Sequence, residues 1–80
     1  MVKYYAELNR EEVIKFTSDF YEVESCRGVK VIITPNSDKK HLFNVFIESE
    51  AKIRGYFLER SFKDGLMCHW GWNKKFNKIA

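Results

Sequence analysis

Hydrophobic and polar residues alternate from the start of the chain: Val2, Tyr4, Ala6 and Leu8 are interleaved with Lys3, Tyr5 and Glu7. That period of two predicts a short strand with one covered face. Asn9 then reads as a helix N-cap. Glu12 completes a capping box three residues on, and Leu8 with Val13 fits a hydrophobic staple. Over Arg10 to Phe20 the period becomes helical. Val13, Phe16, Thr17 and Phe20 share one stripe, and Glu11, Glu12, Lys15 and Asp19 share the exposed face. Acidic residues in the first turn suit the helix dipole.

From Tyr21 the pattern turns towards strand, with Tyr21, Val23 and Ser25 alternating with Glu22, Glu24 and Cys26, and a bend at Arg27-Gly28. Val29 to Thr34 is β-branched almost throughout. The loop Pro35 to Lys40 is rich in turn formers, and His41 to Glu48 alternates again, with Phe43, Val45 and Ile47 as its core face. Residues 29–48 therefore predict a hairpin.

Residues 49–63 fit two patterns. As a helix they have Ser49 as the cap, Ala51, Gly55, Leu58 and Phe62 as a stripe, and Gly65 just past the end, but Gly55 costs about 1 kcal/mol inside a helix. As a strand, Gly55-Tyr56-Phe57-Leu58 has high β propensity. Asp64-Gly65 then forms a type I′ turn into a strand over Leu66 to Trp72. The strand reading is preferred. It predicts an α+β fold: an antiparallel sheet of about four to six strands packed on one N-terminal helix. The helix reading gives strand–helix–strand–strand–helix–strand, the ferredoxin-like order. The expected core is Val13, Phe16, Phe20, Val31, Ile33, Phe43, Val45, Ile47 and Phe57.

Eighty residues, 45% of them hydrophobic, allow a single small domain over 1–80, with 73–80 as a basic C-terminal tail. No apolar run approaches the roughly 18 residues that span a bilayer, and Met1 to Tyr5 lacks the pattern of a signal peptide. With Cys26 and Cys68 far apart, this predicts a reducing, cytoplasmic setting, both thiols acting as small buried apolar groups. The formal charge of +3 is uneven. Residues 1–25 hold three basic and six acidic side chains, residues 26–80 eleven and five. That asymmetry suits an anionic partner.

Cys26, His41, Cys68 and His69 lack the close pairs of a structural zinc site, so neither metal nor cofactor is expected. His41 and His69 are the only histidines for acid–base work, and no hydrolase, P-loop or dinucleotide motif accompanies them. The chain is expected to act by binding, without turnover.

The clearest candidate surface is His69-Trp70-Gly71-Trp72-Asn73-Lys74-Lys75-Phe76-Asn77-Lys78, where aromatics interleave with cations. Aromatic faces stack on unpaired bases and lysines neutralise phosphates. On a strand, Trp70 and Trp72 share a face about 6.5–7 Å apart. The plainer role for two such tryptophans is core. The favoured partner is single-stranded nucleic acid, RNA or DNA, bound through His69, Trp70, Trp72, Lys74, Lys75, Phe76 and Lys78. Arg54-Gly55-Tyr56 resembles the opening of the sheet motif of the RNA-recognition family. Phe57, Leu58 and Glu59 depart from that motif, so no family is assigned.

The alternative is a protein-binding inhibitor or adaptor. In size and style the chain resembles the compact proteins that phages encode to block host nucleic-acid-handling or defence enzymes. Thirteen aromatics are more than one small core hides, and exposed Tyr and Trp anchor interfaces. Homodimerisation through a sheet face or an unpaired edge strand is the simplest such association.

Overall fold

The computed structural model describes residues 1–80. Strand β1 (Val2–Asn9) leads directly into helix α1 (Arg10–Glu22), and a 3-10 turn (Glu24–Cys26) follows. Strands β2 (Lys30–Pro35) and β3 (Leu42–Ser49) form the expected hairpin. Helix α2 (Lys52–Lys63), a single turn α3 (Leu66–His69), a 3-10 turn (Trp72–Lys74) and strand β4 (Asn77–Lys78) complete the chain. The sheet is antiparallel, in the order β2-β3-β1-β4. The fold is α+β as expected, and its main elements follow the strand–helix–strand–strand–helix–strand order. No helix is long and apolar enough to cross a membrane.

Helix α1 starts where its local chemistry dictates. The Asn9 side chain accepts from the Glu12 N–H, and the Glu12 carboxylate accepts from the Asn9 N–H, each at 2.9 Å. The box and Lys75 hold the Glu12 carboxyl below its ordinary range, the Asn9 N–H being the larger cause. Phe16 and Phe20 are buried beneath the helix. The helix runs two residues further than the stripe predicted. Glu24–Cys26 is a 3-10 turn rather than a strand, because the Val23, Cys26 and Arg27 N–H groups close on the carbonyls three residues back.

The preferred strand over 49–63 is corrected to a helix. Gly55 is the reason a helix fits here: a Cβ at this position would lie 2.9 Å from Val2 Cγ2, so the glycine lets α2 approach β1 closely. Leu58 and Phe62 fill the stripe, and Phe62 stacks on Tyr4 with centroids 4.5 Å apart. The N-cap is Ala51 rather than Ser49 and makes no side-chain cap bond. Asp64-Gly65 is not a hairpin turn either: both N–H groups close on the Arg60 carbonyl and end the helix. The predicted strand over Leu66 to Trp72 is replaced by helical turns.

All the helices lie on one face of the sheet, and the register shows which residues that face carries. Tyr4, Ala6 and Leu8 pair with Ile47, Val45 and Phe43. Of the expected core, Phe16, Phe20, Val45 and Ile47 are buried, Val13 and Val31 pack against them half-buried, and Phe43 is half-buried. Ile33 and Phe57 are exposed instead. Ile33 lies on the edge strand β2, and Phe57 turns to the outer side of α2. Cys26 is buried and Cys68 half-buried, both as free thiols.

Candidate functional site

The C-terminal segment does not present the aromatic strand face that the sequence suggested. Gly71, at a φ of 86°, turns the chain so that Trp72 enters the core. There the indole meets Phe16 edge-on at 5.3 Å, and its Nε1–H donates to Asp19 Oδ2 at 2.8 Å. Phe76 is buried beside it, 4.7 Å from Phe16 and 5.6 Å from Phe62. An aromatic whose faces are occupied by neighbours offers none to a base. Trp70 is half-buried and packs against the same core, while His69 ends α3 in solvent.

The lysines of this segment are dispersed. Lys75 pairs with Glu12 at 2.9 Å, Lys78 pairs with Glu59 at 3.3 Å, and Lys74 is exposed without an ion pair. Residues 73–80 are not a free tail. Asn77 and Lys78 pair with Tyr5 and Tyr4, and the Lys3 N–H donates to the Ala80 carbonyl. Arg54-Gly55-Tyr56 sits on α2, so its match to a sheet motif has no counterpart in the sheet.

The sheet carries a different set on the face that no helix covers. Asn77, Tyr5, Phe46 and Ile32 lie in register across all four strands. The Tyr5 and Phe46 rings, on the two central strands, are tilted by 38° with centroids 4.8 Å apart. Both remain half-exposed. On one side runs the row Lys3, Glu48 and Lys30, in which Glu48 bridges both lysines at 3.7 and 3.6 Å. Lys3 Nζ also lies 5.0 Å from the Phe46 ring centre. On the other side the Tyr5 hydroxyl donates to Asn44 Oδ1 at 2.8 Å, and Asn36 Nδ2 donates to the same oxygen at 2.9 Å. The Asn44 amide N–H groups stay available to a ligand.

Tyr5 keeps its proton more tightly than an ordinary phenol, through partial burial first and the Glu7 carboxylate second. The hydroxyl is therefore a donor at neutral pH. The whole face combines two aromatic rings, an aliphatic neighbour, two lysines and free amide donors. The alternation of β1 and β3 puts Tyr5 and Phe46 at outward positions, and Tyr5 is among the aromatics expected at the surface. The available signal was that two outward positions carry aromatics. Which outward residues become neighbours depends on strand pairing.

His41 and His69 stand on separate exposed segments, and no three His, Cys, Asp or Glu side chains converge as a metal-ligand set. Comparison with protein-family models, with curated proteins and with solved structures finds no match to this chain.

Proposed function

We propose that this chain is a non-enzymatic binding module for single-stranded nucleic acid, with the open sheet face as its contact surface. The observation that carries the reading is the Tyr5–Phe46 pair on the two central strands, uncovered and flanked by Lys3 and Lys30. Single strands are held on such sheets by base stacking on aromatic faces and by cations along the backbone. Trp72 and Phe76 serve the core, and Trp70 packs against it on the helix side of the sheet.

The test is titration of labelled single-stranded RNA and DNA at two salt concentrations. Phe46→Ala is expected to weaken binding by about 1–3 kcal/mol without changing the salt slope. Each of Lys3→Ala and Lys30→Ala is expected to lower the slope of log affinity against log salt by about 0.7. Phe46 is half-exposed, so the melting temperature checks that the fold is intact. Wild-type affinity in Phe46→Ala, with loss in Trp70→Ala or Lys74→Ala, would return the contact to the C-terminal segment.

A further inference from the structure

The open sheet face has a polar edge beside its aromatic pair. Glu7 follows Tyr5 on β1, Asn44 precedes Phe46 on β3, and the two lie directly opposite each other. Alternate residues of a strand share a face, so both side chains stand at the rim of the rings. The 2.8 Å bond from the Tyr5 hydroxyl to Asn44 Oδ1 holds the Asn44 amide at that rim.

The loop between β2 and β3 fixes which way these groups face. Asn36 Oδ1 accepts the backbone N–H groups of Asp38 and Lys39, both at 2.9 Å. A backbone N–H only donates, so the Asn36 amide has one orientation and its Nδ2 points to the sheet. That nitrogen donates to Glu7 Oε2 at 2.6 Å and to Asn44 Oδ1 at 2.9 Å. Asn44 Oδ1 therefore receives both Tyr5 and Asn36, which fills its two lone pairs. The Asn44 amino group is left with two donors for a ligand. Glu7 Oε1 takes Lys39 Nζ at 3.4 Å, so each carboxylate oxygen has one contact and a lone pair to spare. The Glu7 side chain is 33% exposed.

A donor beside a two-oxygen acceptor matches one base edge. The Watson–Crick edge of guanine presents an acceptor, O6, followed by two donors, N1–H and the 2-amino group. Adenine and cytosine each present one donor beside acceptors, and uracil presents one donor between two acceptors. Against those edges a carboxylate meets lone pairs and is repelled. Resting on the reading of this face as a single-strand platform, we propose that Glu7 and Asn44 make it selective for guanine. The base stacks on Phe46 and Tyr5, Asn44 Nδ2–H donates to O6, and the Glu7 carboxylate accepts from N1–H and the 2-amino group. Asn36 is the positioning residue that holds both reading groups.

The probes are labelled oligouridines with one central guanine, adenine, cytosine or hypoxanthine, beside the unsubstituted strand. Guanine is expected to bind at least about tenfold more tightly than adenine, cytosine or uracil. Hypoxanthine, which lacks the 2-amino group, is expected to fall between. Glu7→Gln and Asn44→Asp are each expected to remove most of the guanine-to-adenine ratio. Asn44→Asp keeps an oxygen acceptor for Tyr5 and Asn36, and thermal melting checks that the loop and fold persist. Taking the ratio at one salt concentration cancels the change in net charge. Phe46→Ala is expected to weaken both purine strands and leave their ratio in place. Equal binding of all strands, still lost in Phe46→Ala, would overturn guanine selection and leave the stacking surface standing. Preference for another base, or a guanine preference that survives both Glu7→Gln and Asn44→Asp, would also overturn it. No binding of any strand would remove the platform and the selection together.

Discussion

The two long helices of this protein lie on the same side of one sheet and are specified in different ways. Helix α1 carries its instructions locally: a complete capping box, acids at the positive end of its dipole and a clean aromatic stripe. Helix α2 has no side-chain cap, a lysine where an acid would suit the dipole, and a glycine in its second turn. It is a helix because Gly55, Leu58 and Phe62 fit against β1 and the aromatic core. Local propensity alone makes a poor guide to such a segment. The helix with the weaker local code exposes Ile53, Tyr56 and Phe57, and α1 exposes Ile14 and Tyr21.

The sharpest way to break the comparison is at Phe16, where both halves of the molecule meet. Phe16 touches Phe20 from α1 and Trp72 and Phe76 from the C-terminal segment. Phe16→Ala is expected to cost about 3–5 kcal/mol, read as a large drop in thermal midpoint. A midpoint equal to the wild type would mean that α1 does not anchor the core.

The next test probes how α2 is held from below. Cys26 lies buried beside α2, and burial pushes its thiol up from 9.0 to about 11. The unfolded thiol ionises from about pH 9 while the folded one keeps its proton. Stability is therefore expected to fall between about pH 9 and 11, by on the order of 2–3 kcal/mol, and then to level. Denaturant titrations of the wild type and Cys26→Ala across that window isolate the effect. An identical pH dependence in both would remove Cys26 as its cause.

Just past the same end of α2, Gly65 is needed for space rather than for an unusual backbone angle. A Cβ there would lie 2.8 Å from Ser61 Cα, a backbone atom that has little room to yield. Gly65→Ala is expected to cost about 1–3 kcal/mol. Chemical denaturation that shows no loss would place the end of α2 differently.

The smallest effects are the most specific to the contrast, because they carry opposite signs. Asn9→Ala removes the α1 cap and is expected to cost about 1 kcal/mol. The reciprocal bond, in which the Glu12 carboxylate accepts from the Asn9 backbone N–H, survives that change and stabilises α1 above the ordinary carboxylate range. It is lost as pH falls through the lowered pKa of Glu12, because a protonated Glu12 is a poorer acceptor for the Asn9 N–H. Ala51→Ser installs at α2 the kind of cap that α1 already has, and is expected to add about 0.5–1 kcal/mol. Equal and negligible changes at both sites in equilibrium unfolding would mean that the two helices do not differ in local specification.

Much of this architecture is legible in the sequence. The alternation of Val2 to Leu8, the Asn9–Glu12 box, the stripe of Val13, Phe16 and Phe20 and the hairpin over 29–48 are short-range patterns. Each is dictated by the period of its own backbone. The candidate site was less legible. Trp70, Trp72 and Phe76 drew attention because they are large and sit among lysines, yet Trp72 and Phe76 close the core. Tyr5 and Phe46 stand at outward positions of two different strands, and they meet only because β1 pairs with β3.

By itself, the sequence determined the class of fold, the first helix with its cap, the hairpin and the half of the core that they bury. These depend on interactions between residues a few positions apart, whose geometry the backbone sets. Only the tertiary structure decided that 52–63 is a helix, that Trp72 turns inward at Gly71 and that Phe57 faces solvent. It alone aligned Asn77, Tyr5, Phe46 and Ile32 across four strands. Those outcomes depend on which surfaces compete for the same buried volume. Val2 accepts Gly55, and Phe16 accepts Trp72 and Phe76. Such choices are settled between distant residues, once the whole chain has packed.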